Sequence, residues 1–249
     1  MAVRVMLADQ GLDLPPPYEL VALREAGDAY LHACAIAGEK GAGTLVWVRR
    51  FDLAEFAVVL EPAQPLSEAR QAFFIAMNAL GDALAAHAPP GRPISFDWPD
   101  AIRIDGVLVG GGRLGCPAGA TENEVPPWMV FSGMLRTFVI NAAEPGARPL
   151  LGGLDELGFR EVDAAEIIAS FSRHLLTGFD EWAESGFDPV ARRWLGRLAR
   201  EEGRASLAGN GDLLVFEDTK PGPVERRELA PALAAVPSWL DPSKGTPWL

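Results

Sequence analysis

Lysine is nearly missing from this sequence. Only Lys40, Lys220 and Lys244 occur among the 22 basic residues of the 249-residue chain, so an anion site in its middle has to use arginine or backbone N–H groups. Positive charge is short overall, 22 basic against 34 acidic residues for a net charge of −12, which argues against a nucleic-acid partner. Two cysteines, Cys34 and Cys116, are too few for a disulfide framework or a cysteine-based metal cluster, and they suit a reducing compartment. His32, His87 and His174 stand far apart with no metal-ligand partner four residues on, so no metal site is expected. No apolar run is long enough to span a bilayer, and no segment of signal-peptide length precedes Asp9. A cytoplasmic protein with no membrane partner is the expectation.

Two catalytic signatures are also missing. The glycines at Gly41 to Gly43 and at Gly110 to Gly112 lead into no Gly-Lys-Ser/Thr, so neither makes a P-loop. Ser132-Gly133 lacks the first glycine of a nucleophile elbow.

What is present reads as alternating elements. After Pro15 to Pro17, the segment Tyr18 to Ala37 carries Leu20, Leu23, Tyr30, Leu31 and Cys34 in mostly helical spacing, interrupted at Gly27, and predicts a helix. Thr44 to Val48 and Glu55 to Leu60 are rich in strand formers, with a break at Arg49 to Leu53. Ser67 to His87 places Phe73, Met77, Leu80 and Leu84 on one helical face, with proline on either side. Trp128 to Ile140 predicts one long strand with a bulge at Gly133. Asp163 and Glu166 open a helix to Glu184, and Asp188-Pro189 predicts the cap and first position of another, to about Arg200. A strand pair around Gly209-Asn210-Gly211 and a proline-rich tail close the chain. This order gives an α+β fold, a mixed β-sheet packed by helices over residues 1–200, with a small C-terminal β module over 201–249.

The stretch from Ile94 to Cys116, I-S-F-D-W-P-D-A-I-R-I-D-G-V-L-V-G-G-G-R-L-G-C, concentrates the functional signal. Two apolar strands frame a Trp98-Pro99-Asp100 corner, and Gly110, Gly111 and Gly112 follow. Three successive glycines cost backbone entropy, which favours close approach of a ligand over simple relief of crowding. The corner has two readings: a structural turn with Trp98 buried and Asp100 capping, or a pocket wall in which Asp100 hydrogen-bonds a ligand. Arg113 is the nearest cation to the glycines and the first choice for a phosphate or carboxylate partner. Arg49 and Arg50 point to opposite faces if still in strand geometry, so at most one faces a pocket.

Trp98 to Asp100 followed by I-R-I-D-G-V-L-V-G-G resembles the Lys-Trp-Pro-Asn-Asp and Lys-x-x-Gly strands of the biotin protein ligase and lipoate protein ligase superfamily, and G-F-D-P-V-A-R-R-W at 186–194 and G-N-G-D-L-L-V at 209–215 resemble the end of its catalytic domain and the start of its C-terminal module. The resemblance covers about residues 18 to 217 and implies the class II synthetase and biotin ligase-like fold. It implies ATP-dependent activation of a carboxylic acid such as biotin or lipoate, with Mg2+, and transfer to a lysine of a biotinyl or lipoyl carrier domain. The family's two lysines fall on Asp97 and Val107, its Ser-Thr near Glu25 and Ala26, and its arginine- and glycine-rich loop is cut to V-R-R-F-D-L between Val46 and Glu55. Arg49-Arg50 resembles the Arg-Arg pair of lipoate ligases. On this alignment Arg113, with Arg49 or Arg50, takes over for the missing lysines as catalytic cation, and Trp98, Asp100 and Gly110 to Gly112 line the substrate. The alternative is a catalytically inactive relative that binds a small acid, a nucleotide or a carrier domain, since an adenylate without cationic partners is not stabilised.

Overall fold

Residues 12–24, 27–140, 148, 150–159, 162–199, 204–217 and 221–249 are described by a computed structural model. Glu25 and Ala26, where the family's Ser-Thr would align, lie outside the described residues.

The elements in chain order are β1 (Glu19–Leu23), α1 (Ala29–Lys40), β2 (Thr44–Arg49), β3 (Leu53–Leu60), α2 (Leu66–Ala69), α3 (Gln71–His87), β4 (Ile94–Asp97), β5 (Ala101–Ile104), β6 (Val107–Gly115) and β7 (Met129–Arg136). There follow α4 (Ala164–Ser185), α5 (Phe187–Leu195), β8 (Arg204–Leu207), β9 (Leu213–Phe216), β10 (Pro223–Arg227), α6 (Leu229–Ala234), β11 (Leu240–Asp241) and β12 (Thr246–Pro247). Seven strands form a mixed sheet in the order β1-β2-β3-β7-β6-β5-β4, with β1 parallel to β2 and the other neighbours antiparallel. The expected α+β fold, a mixed sheet packed by helices, is therefore the observed one. None of the helices is long and apolar enough to cross a membrane among the described residues.

One face of the sheet carries the main core. α3 and α4 lie on it, and Phe131 stacks on Phe171 at 5.7 Å between ring centroids, with Phe56 against the same ring at 4.6 Å. α4 starts with a full capping box: Asp163 accepts from the Glu166 N–H, and Glu166 accepts from the Asp163 N–H. On the other face, α1 turns Ala29, Ala33 and Ala37 onto Val46, Val48, Ala57, Val59 and Val130. Alanine at four-residue steps lets this helix sit close to the strands.

Four sequence expectations are corrected. Tyr18 to Ala37 is not one helix but β1 followed by α1, because Glu19–Leu23 finds a parallel partner in β2 and Asp28 caps a new helix by accepting from the Leu31 N–H at 2.9 Å. The strand predicted over Trp128 to Ile140 ends at Arg136, where the Thr137 N–H turns to the Asp52 carbonyl at 2.9 Å and its hydroxyl to the Phe51 carbonyl at 2.7 Å. Gly133 makes no bulge: it pairs in register with Phe56 and Gly112, and a Cβ there would come within 2.7 Å of the Phe56 ring. The ladder irregularity falls instead on β5, between Ile102 and Arg103 opposite β6. α5 begins two residues earlier than expected, with Gly186 at its cap and Asp188 inside its first turn.

After α5 the chain runs beside β4. The Phe96 N–H donates to the Arg197 carbonyl and the Phe96 carbonyl accepts from the Ala199 N–H, both at 2.8 Å. The expected strand pair around Asn210 is β8 and β9, and β10 adds a third strand. The tail from α6 onward then returns to the main sheet, where Trp239 packs on Leu53, Ala101, Leu108 and Met134.

Candidate functional site: a glycine strand and Arg113 beside the start of a helix

The Trp98-Pro99-Asp100 corner joins β4 to β5 through a cis Trp98–Pro99 peptide and sends its two side chains to opposite tasks. Trp98 packs among the core aromatics, 6.2 Å from Phe74 and 5.8 Å from Trp194 between ring centroids. Asp100 is 4% exposed, and its carboxylate accepts from the Ser238 N–H at 3.1 Å and the Ser238 hydroxyl at 2.6 Å. Burial raises the Asp100 carboxyl above the usual range, and the two Ser238 donors oppose that shift.

Each glycine of β6 serves a different neighbour. Gly110 has φ of +146° and its Cβ would lie 2.0 Å from the Met134 carbonyl, so only glycine fits this crossing of β6 and β7. A Cβ on Gly111 would meet the Asp100 carbonyl at 2.0 Å and Trp239 Cδ1 at 2.3 Å. On Gly112 it would meet Met77 Sδ at 2.7 Å and the Phe131 ring at 2.8 Å from the helix side. The strand thus admits a flat ring at Gly111, and the ring seated there is the indole of Trp239, whose Nε1 donates to the Gly112 carbonyl at 3.1 Å.

One step along β6, Arg113 points toward the N-terminus of α1. Its guanidinium donates to Asp28 Oδ1 at 2.8 Å and lies 3.9 Å over the Tyr30 ring. Asp28 therefore holds two roles, helix cap and counter-ion. Beside it Glu55 of β3, 2% exposed, accepts from the Ala29 N–H at 2.9 Å, so the chain's own carboxylates fill the helix N-terminus. Burial raises Glu55 above the usual carboxylate range, opposed by that N–H and by Arg50 and Arg113. Burial likewise pushes the Tyr30 phenol up to about 12.

The other expected cations stand apart from Arg113. Arg50 forms a fork with Asp52 at 3.1 and 2.9 Å, and Arg49 at the end of β2 lies 5.4 Å over the Trp47 ring. Asp97 pairs with Arg103 at 2.6 Å, and Val107 starts β6. Arg136, which the sequence did not single out, is 5% exposed and donates to Thr246 Oγ1 at 3.2 Å and the Pro247 carbonyl at 2.5 Å. Asp28, Tyr30, Glu55 and Trp239 were also missed. Only Asp28 carried a sequence signal, as an N-cap residue directly before Ala29.

A cavity of ≈ 790 Å³ opens on the opposite, helix-covered face. None of Arg49, Arg50, Trp98, Asp100, Gly110, Gly111, Gly112 or Arg113 lines it.

Comparison with known proteins assigns the framework. The model of the biotin/lipoate A/B protein ligase family matches residues 14–196. A biotin–[acetyl-CoA-carboxylase] ligase of Paracoccus denitrificans is 27% identical over 179 residues, covering 70% of this chain and 72% of that one. A biotin protein ligase-like protein of unknown function from Silicibacter sp. TM1040 superposes with a TM-score of 0.73 at 25% identity, covering 84% of this chain and 95% of the other. The apo biotin protein ligase of Aquifex aeolicus shares the fold at a TM-score of 0.65 and 14% identity, again over 84% of this chain and 95% of that one. With a sheet of matching architecture and a family match that spans the whole of it, this chain belongs to the biotin/lipoate A/B protein ligase family.

Proposed function

We propose that this chain is a ligase-fold protein that binds a small carboxylic acid at Arg113 without adenylating it. The observation that carries this reading is the 2.8 Å contact between Arg113 and Asp28. A carboxylate already occupies that guanidinium and the adjoining end of α1, and an external acid of the biotin, lipoate or octanoate class takes the same donors by displacing Asp28.

The residues present do not suit ATP with Mg2+. Of the two positions that align with the family's lysines, Asp97 is itself an anion paired with Arg103, and Val107 is apolar. Arg50 and Arg113 are each paired with a carboxylate of the chain. Phosphates and developing charge need cations that are free to meet them. The kinship with biotin ligases favours the second reading, an active ATP-dependent ligase that transfers the acid to a carrier-domain lysine with Arg113 as its cation.

Calorimetric titration with biotin, lipoate and octanoate, run beside an assay for pyrophosphate release with ATP and Mg2+, separates the two. Binding without pyrophosphate, lost in Arg113→Met, is the expected result. Turnover comparable to a control ligase selects the second reading, and absence of binding by every acid rejects both.

A further inference from the structure

The ≈ 790 Å³ cavity has the chemistry of neither an acid pocket nor a nucleotide site. It lies on the face away from Arg113, floored by Val58 of β3 and Met129 of β7 and walled by α3 and α4. Its volume falls within the range of roughly 300–1,000 Å³ typical of small-molecule sites. The polar atoms of Trp182, Gln71 and Tyr18 in its walls are already used. Trp182 Nε1 donates to Gln71 Oε1 at 2.8 Å, Gln71 Nε2 donates to the Gly209 carbonyl at 2.6 Å, and the Tyr18 hydroxyl donates to the Ser172 carbonyl at 3.0 Å. Two aromatic rings are thereby held in place at the cavity wall with their polar ends spoken for, and Phe179 adds a third.

Charge at the cavity has one sign. Glu61, Glu68 and Asp180 line it, and no lysine, arginine or histidine does. Those three carboxylates stand at exposed positions and form no ion pair among the described residues. An anion entering here would meet three like charges and no basic side chain to offset them. A cation would find aromatic side chains and unpaired carboxylates together, which is the combination that recognises amines and quaternary ammonium groups.

We infer that this cavity binds a small organic cation, an amine or quaternary ammonium carried on an apolar body. The inference stands apart from the acid-binding reading, because the two sites lie on opposite faces of the sheet and share no residue. The test uses three molecules of matched shape on the full chain: 4-phenylbutylamine, 4-phenylbutanol and 4-phenylbutyrate, followed by calorimetry. The amine is expected to bind about tenfold or more tighter than the alcohol, since three like charges act on one cation, and the acid is expected to bind weakest. The triple variant Glu61→Gln/Glu68→Gln/Asp180→Asn, all at exposed positions, is expected to bring the amine to the affinity of the alcohol while leaving the alcohol unchanged. Arg113→Met is expected to leave amine binding intact. Equal affinity for amine and alcohol, tighter binding of the acid, or no binding of any of the three overturns the assignment.

Discussion

Trp239 Nε1 donates to the Gly112 carbonyl across 3.1 Å, although 127 positions separate the two in sequence, and the indole covers Gly111 so closely that a Cβ there would lie 2.3 Å from its Cδ1. Gly111 and the Gly112 carbonyl, within the glycine run, are in this chain a seat for its own C-terminal tail. Ser238 on Asp100 and Thr246 with Pro247 on Arg136 extend the same contact to either side.

Trp239→Ala removes a side chain that is 1% exposed together with a buried hydrogen bond. We expect a loss of about 3–5 kcal/mol in urea unfolding, the range for buried aromatic truncations. A loss below about 1 kcal/mol would show that the tail is not packed on the sheet in solution.

Gly111→Ala tests whether the glycine is there for the indole or for the backbone. Its Cβ would also stand 2.0 Å from the Asp100 carbonyl, which cannot step aside as a side chain can. Gly111→Ala/Trp239→Ala is therefore expected to unfold at a clearly lower temperature than Trp239→Ala alone. Equal melting temperatures for the two would contradict the backbone argument.

Glu55 links stability to pH. Its carboxyl titrates above the ordinary value of 4.5 in the folded protein, so the folded state holds the proton more tightly than the unfolded one. The contribution is present in full below the ordinary value and is lost as pH rises through the raised one. Glu55→Gln keeps an acceptor for the Ala29 N–H without the charge. The stability of this variant relative to the parent is expected to increase from pH 4.5 toward neutrality. A difference that is flat with pH, or that falls, would place the proton elsewhere.

Asp28 separates cap from counter-ion. Asn is as good an N-cap as Asp, so Asp28→Asn is expected to change stability little, whereas Asp28→Ala loses about 1 kcal/mol. Only the charge on Arg113 is released in the Asn variant, and an acid that binds there should bind more tightly to it than to the parent in calorimetry. Unchanged or weaker affinity would remove Arg113 from the acid site.

Asp163→Ala breaks the capping box of α4 and is expected to cost about 1 kcal/mol, measured by chemical denaturation, with no effect on acid binding.

Much of the fold was legible in local pattern. α3 and α4 declare themselves by an apolar face and, in α4, by Asp163 and Glu166 three apart. β1 was not legible, because Leu20 and Leu23 continue the helical spacing of Tyr30 and Cys34 and nothing local shows that Glu19–Leu23 pairs with β2. Residues Ile94 to Cys116 pointed to the family framework, which the family match bears out, and to a ligand at Gly110 to Gly112, where Trp239 of the same chain sits against Gly111. What approaches was beyond reach: Trp239 lies in a tail whose sequence gives no sign of returning to β6. The same holds for Glu55, which reads as one charged position in a strand until α1 is placed with its first N–H against it.

The run of chain beside β4 has a bearing on assembly. Phe96 spends its outward N–H on Arg197 and its outward carbonyl on Ala199, so that margin of the sheet is already closed by the protein's own backbone. A second molecule cannot pair with Phe96 there by adding a strand, which leaves the β1 margin as the other end of the seven-stranded sheet.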